Sequence, residues 1–234
     1  MIKVIVWNED VQKDEACLAV YPDGIHNAIK DFLQCDDISV TTATLAMENC
    51  GLSRELLAET DVLVWWGHVA HDQVPDELVS MIHQRVLAGM GLVVLHSAHH
   101  SKIFRRLMGT NCNLMWREQD RQRLWTIIPS HPIARGVPAH IELEAEEMYG
   151  EPFTIPTPDE TVFIGWFRGG EVFRSGVTYR RENGKVFYFQ PGHETNTTYH
   201  NPHIQQIIRN AVYWAKAEFL TPQIHCPKAP LLEE

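Results

Sequence analysis

Short apolar runs alternate with stretches of helical periodicity through the first half of the chain, and that alternation predicts parallel βαβ units. Ile2–Trp7 reads as the first strand. Ile25, Ala28, Ile29, Phe32 and Leu33 then recur on one face of a helix over Gly24–Leu33. Ile38–Thr44, rich in β-branched residues, reads as a second strand, and Ser53 as the cap of a short helix carrying Leu56 and Leu57. Asp61–Trp66 is the third strand. Pro75 opens a helix whose Leu78, Val79, Ile82 and Val86 face one way until Gly89 ends it. Gly91–Leu95 is almost continuous Val and Leu, as a strand covered on both faces should be.

The second half changes character. Arg123–Ile128 and Val162–Phe167 read as strands, and Glu171–Tyr179 is expected to pair with Lys185–Phe189 across Glu182-Asn183-Gly184, because Asn-Gly favours a tight hairpin turn. Asn201 and Pro202 open a last helix with Ile204, Ile207, Ile208, Ala211, Val212 and Ala215 on one face. No repeat or linker divides the chain. One α/β domain over residues 1–220 is expected, followed by an extended tail over 221–234 that packs on this domain or on a neighbouring copy in a homo-oligomer.

Composition narrows the partners. With 44% hydrophobic and 21% charged residues the chain can bury a full core. Its formal net charge of -10 repels phosphate backbones, which excludes nucleic acid as an expected partner. No apolar stretch approaches the roughly 20 residues that span a bilayer, so no membrane partner is expected. The five cysteines (Cys17, Cys35, Cys50, Cys112 and Cys226) are scattered, odd in number and without a C-x-x-C pair. They read as free thiols in a reducing compartment, and the cytoplasm is the expected location.

Ligands of parallel sheets bind beyond the carboxyl ends of the strands. His68 and His71 follow the third strand, His96, His99 and His100 the fourth, and His193 the hairpin's return strand, so six of the 13 histidines fall in three such loops. His68, His96 and His193 stand closest to their strands and are the candidate ligands of a divalent metal, zinc first, with Glu147 as a fourth; no nucleotide cofactor is expected. His96, His193 and the adjacent Glu194 are the acid/base candidates. Leu95-His96-Ser97-Ala98-His99 also invites comparison with a nucleophile elbow. There Ser97, His193 and Glu194 would form a Ser-His-acid set, although Leu95 and His99 fill the positions that small residues normally take. Trp66, Trp116, Glu118, Arg168 and Tyr199 are the candidates for contact with a sugar, aromatic faces stacking on its apolar face and charged groups bonding its hydroxyls.

At Val64-Trp65-Trp66-Gly67-His68, Val94-Leu95-His96-Ser97-Ala98-His99, Glu147-Met148-Tyr149-Gly150-Glu151-Pro152-Phe153 and Phe189-Gln190-Pro191-Gly192-His193-Glu194-Thr195 the chain resembles the ThuA-like, trehalose-utilisation family. The resemblance covers roughly residues 1 to 217. It implies the fold of class I glutamine amidotransferases, a flavodoxin-like three-layer α/β/α sandwich with a mostly parallel central sheet. It does not imply their activity: His96 and Ser97 stand where glutamine hydrolysis needs a cysteine, and His193 and Glu194 are adjacent where amidotransferases have His-x-Glu. The resemblance implies catabolism of trehalose-like disaccharides, most concretely of 3-keto-glycosides. Two readings stay open: an enzyme using acid/base, metal-assisted chemistry, and a non-catalytic sugar-binding or regulatory protein.

Overall fold

The structure is a computed structural model that describes residues 1–217 and 228–233. The expected tail boundary at 221 and Cys226 lie outside the described residues. Nine strands form one sheet in the order β2-β1-β3-β4-β9-β8-β7-β5-β6. They are β1 (Ile2–Asn8), β2 (Ile38–Thr44), β3 (Val62–Trp66), β4 (Gly91–Leu95), β5 (Met115–Thr126), β6 (His140–Gly150), β7 (Glu160–Phe167), β8 (Val172–Arg181) and β9 (Gly184–Phe189). Strands β2, β1, β3, β4 and β9 run parallel, and β8, β7, β5 and β6 continue the sheet antiparallel. The helices are α1 (Glu15–Val20), α2 (Ile25–Leu33), α3 (Arg54–Glu59), α4 (Asp76–Leu87), α5 (Lys102–Met108) and α6 (Pro202–Ala215).

Period-two alternation puts the sheet's two faces against two cores. Trp7 and Trp65 stack at 3.8 Å on one face and pack with Leu57, Ile82 and Phe104 of α3, α4 and α5. Val6 and Trp66 point the other way, against Ile29 of α2 and Ile208 of α6. This is the three-layer α/β/α arrangement. Among the described residues, no helix is long and apolar enough to cross a membrane.

Two sequence expectations shift. The hairpin between β8 and β9 turns on Glu182-Asn183, with Glu182 at φ 50, and Gly184 already lies in the strand opposite Arg181. A Cβ at Gly184 would sit 2.1 Å from the carbonyl oxygen of Val86, so the glycine answers to close packing on α4 rather than to the turn. The strand expected at Arg123–Ile128 is the end of a longer one. β5 begins at Met115 and pairs with β6 through irregularities between Arg117 and Asp120 and between Asp120 and Gln122.

Those bulges position the site. β6 lies five places from β4 in the strand order, about 24 Å away in a flat sheet. Yet Glu147 of β6 comes within 3.1 Å of His96, at the end of β4. The β5–β6 ribbon therefore bends back over the end of the parallel strands, as bulges allow.

Candidate metal and acid/base site

Three loops leave the parallel strands on the same edge, each held by a buried partner. After β3, the carboxylate of Glu9 accepts the backbone N–H groups of Val69 (2.7 Å) and Ala70 (2.9 Å), which fixes the turn carrying His68. After β4, His96 adopts the left-handed conformation at φ 53, and a 3-10 turn then runs to His100 before Ser101 caps α5. After β9, Gly192 at φ 134 donates its N–H to Glu146 (3.2 Å), and its carbonyl accepts the Trp66 indole N–H (3.0 Å). Glu146 also accepts the Thr198 hydroxyl. That clamp aims His193 inward and gives the fully buried Glu146 a structural duty.

The three histidines form a near-equilateral triangle. Ring centroids lie 5.8 Å apart for His68 and His96, 5.4 Å for His68 and His193, and 5.5 Å for His96 and His193. Each ring is held at Nδ1: His68 by the Glu194 carboxylate (2.8 Å), His96 by the Gln190 carbonyl (2.9 Å) and His193 by the Thr195 hydroxyl (2.9 Å). One ligand atom from each of His68, His96, His193 and Glu194 lies within 4.8 Å of the others. His68 and His96 are anchored at Nδ1 by acceptors, as metal-binding histidines are, whereas His193 Nδ1 receives the Thr195 backbone N–H (3.3 Å) besides meeting its hydroxyl; three nitrogens with one carboxylate oxygen suit zinc or a similar ion.

The electrostatics divide the cluster. Burial disfavours a charge on His96, but Glu147, Glu146 and the Gln190 carbonyl together raise its pKa. Burial also opposes the charge on Glu147, and His96 with its neighbours lowers that pKa nonetheless. His96 Nε2 and Glu147 Oε2 are both shut from solvent, so a proton or a cation between them is the natural occupant. Burial, then the charge of His96, holds His193 down at about 4. Burial works against ionised Glu194, yet the His68 hydrogen bond and the charges of His68 and His193 hold it at about 2.

The expected residues fall into two groups. His68, His96, His193, Glu194 and Glu147 converge. Glu118 reaches the mouth, exposed, with a carboxylate oxygen 3.9 Å from His193 Nε2. Trp116, 61% exposed, pairs across the ribbon with Tyr149, whose ring stacks on His96 at 5.3 Å.

Three expectations need correction: Ser97, Trp66 and Tyr199. Ser97 follows the left-handed elbow rather than occupying it, and its buried hydroxyl bonds Tyr149 Oη at 2.7 Å, so it does not join His193 and Glu194 in a Ser-His-acid set. Trp66, 1% exposed, holds Gly192 from beneath and cannot offer its face to a sugar. Tyr199 is wholly buried in the core beside Tyr21. Arg168 is exposed in the turn after β7, its N–H directed to Asp120 on β5. Glu9, Glu146, Tyr149, Gln190 and Thr195 were not among the candidates. Gln190 and Thr195 flank the Pro-Gly-His-Glu segment and were the most discoverable, whereas buried Glu146 shares an acidic run with exposed neighbours.

None of the described cysteines occupies the turn after β4. Cys17, Cys35, Cys50 and Cys112 are free, and burial pushes the thiol of Cys17 up to about 12 and those of Cys50 and Cys112 upward as well.

The family described as trehalose utilisation, ThuA, matches residues 3–215. A ThuA-like protein from Parabacteroides merdae superposes with a TM-score of 0.68 at 15% identity, covering 95% of this chain and 92% of its own. A cytoplasmic protein from Salmonella typhimurium gives 0.63 at 12% identity, covering 93% of this chain and 100% of its own. A glutamine amidotransferase from Thermotoga maritima gives 0.54 at 9% identity, covering 91% and 97%. At such identities the likeness shows the fold. A search of curated proteins finds no match.

Proposed function

The chain belongs to the ThuA, trehalose-utilisation family, and from that premise we propose that it is a sugar-catabolic enzyme acting on a disaccharide or 3-keto-glycoside by metal-assisted acid/base chemistry. The observation that carries this reading is the set of three imidazoles, each held at Nδ1, around buried carboxylates. Three histidines so placed repel one another once protonated; a metal holds them neutral and oriented. His68, His96 and His193 would hold a divalent ion, zinc first, with Glu194 or Glu147 as the carboxylate ligand. When bound, such an ion polarises a carbonyl oxygen or lowers the pKa of a water.

The chain's own residues do the rest. With His96 held as a ligand, Glu147 beside it would take up or give the proton next to the reacting group, His68–Glu194 fixes a second ring, and Glu118 at the mouth accepts substrate hydroxyls. Trp116 offers an aromatic face for the apolar side of a pyranose. Glutamine hydrolysis is not proposed, because the elbow residue is His96 and Cys17, Cys35, Cys50 and Cys112 lie elsewhere. We place the enzyme in the cytoplasm, acting on small sugars without nucleic acid or membrane. It would act as a homo-oligomer, with the exposed Trp125, Trp166 and Val172 of β5, β7 and β8 supporting self-association.

The test is elemental analysis of protein purified without added metal, with turnover of a 3-keto-disaccharide measured before and after chelation. His96→Ala is expected to lose metal and turnover together while the protein stays folded. Full activity in a metal-free, chelated sample would end the metal reading and leave His193 with Glu194 as the acid/base pair. Binding of the sugar without turnover would make the protein a non-catalytic binder.

A further inference from the structure

Next to the histidine cluster, and sharing Glu194 and Trp66 with it, a small pocket lies between the loop after β1 and the start of α2. It encloses about 20 Å³, room for a single water-sized group. Asn8, Asp10, Gln12 and Lys13 supply polar groups to its wall, and Cys17 and Tyr21 are among the rest. The amide nitrogen of Gln12 is shut from solvent and has no hydrogen-bond partner among the described residues. Native proteins seldom leave a buried amide in that state without a water or ligand to meet it.

The wall also restricts what can enter. Glu194 keeps acceptor capacity beyond its bond to His68, and Asp10, paired with Lys13 at 2.6 Å, adds a second carboxylate. A carboxylate oxygen would face those two acids. An ammonium group would face Lys13 and the Gln12 amide. A methyl group would leave the amide stranded. A hydroxyl is donor and acceptor at once and answers both sides of the wall.

We propose that this pocket receives one hydroxyl group of the sugar substrate, which accepts a hydrogen bond from Gln12 and donates one to Glu194. The inference rests on the sugar reading above and deepens it, since it assigns a specificity pocket beside the cluster. It also ties recognition to chemistry. The carboxylate that would meet the hydroxyl is the one that orients His68, so a correct substrate hydroxyl would steady a ring of the cluster as it binds.

The test measures binding, not turnover, and uses the full chain. Methyl glucoside and its four monodeoxy derivatives are titrated by saturation-transfer NMR against the wild type, Gln12→Leu and Gln12→Met, the second variant guarding against misfolding of the first. One deoxy derivative is expected to bind the wild type about tenfold or more weakly than the parent, because a site built around a hydroxyl rejects its absence. In a folded variant that difference should shrink to roughly threefold or less, as the amide is the missing half of the interaction. Equal binding of all five sugars by the wild type, or unchanged discrimination in the variants, overturns the pocket and leaves the sugar reading standing. No binding of any sugar by the wild type, trehalose and a 3-keto-disaccharide included, overturns the sugar reading and the pocket with it.

Discussion

Replacing Gly192 by alanine tests whether the His193 loop is as tightly seated as the structure requires. A Cβ there would lie 2.0 Å from Tyr199 Oη and 2.3 Å from Cζ, on a backbone at φ 134 that L side chains rarely adopt. Neither side can yield easily. Gly192 is tied by its N–H to Glu146 and by its carbonyl to Trp66, and Tyr199 is enclosed in the core. Backbone strain of about 1–3 kcal/mol and overpacking of about 1–3 kcal/mol should act together. Gly192→Ala should therefore cost roughly 2–6 kcal/mol, read by urea unfolding, and melt on the order of 10 °C lower. Gly109→Ala is the control: φ is 71 and nothing among the described residues lies within 4 Å of the new Cβ, so only strain of about 1–2 kcal/mol remains. The Tyr199 hydroxyl has no hydrogen-bond partner among the described residues, so Tyr199→Phe should be neutral within about 1 kcal/mol or stabilising. Combined with Gly192→Ala it should recover roughly 1–2 kcal/mol, because the oxygen overlap goes while the ring overlap and the strain stay. A Gly192→Ala protein as stable as wild type, or no rescue by Tyr199→Phe, would refute the reasoning.

Three further outcomes follow from the site and its surroundings. His71 is pushed from 6.5 to about 4, first by burial and then by the charges of His100 and His68. Between those values the unfolded chain binds the proton and the folded one does not. His71 thus contributes fully above pH 6.5 and loses its contribution as the pH falls to about 4, a change on the order of 3 kcal/mol; His71→Phe should flatten that stretch of the stability–pH curve, and an unchanged slope would contradict it. Ser97→Ala should keep turnover within a few-fold and lose about 1 kcal/mol of stability with the Tyr149 bond, whereas abolished turnover in a folded protein would restore the serine mechanism. Trp116→Ala should raise KM roughly tenfold with little change in stability, and an unaltered KM would remove Trp116 from the sugar site.

The parallel edge was legible because its strands are buried on both faces and announce themselves as apolar runs; the residues just beyond them, His68, His96 and His193, could be read off by position. The bent ribbon was not. Met115–Arg121 is mostly charged or exposed and bulged, so it carries no alternation from which a strand can be recognised. Glu147 could be picked from its acidic run, but Glu146 could not: alternation assigns neighbours to opposite faces, and here both faces of the strand are covered. Helices α1 and α5 span six and seven residues, too few turns for a periodicity to show. Trp66 and Tyr199 were misread because an aromatic residue beside a motif looks alike whether it faces a ligand or supports the loop from below.

The bend in the β5–β6 ribbon splits the making of the site between two materials. Its floor is cast in loops whose strands are pinned between two cores, where a change of path would be felt on both sides. Its overhang is a ribbon whose outer stretch, Met115–Gln119, is exposed. Substrate preference can drift by re-facing that overhang while the floor keeps its shape. The same division orders assembly: Glu147 must find His96 and Glu118 must find His193 across long stretches of chain, and such distant contacts are slow to form. A chain that has closed its parallel sheet but not yet folded this flap would be sturdy, compact and only half equipped for its work.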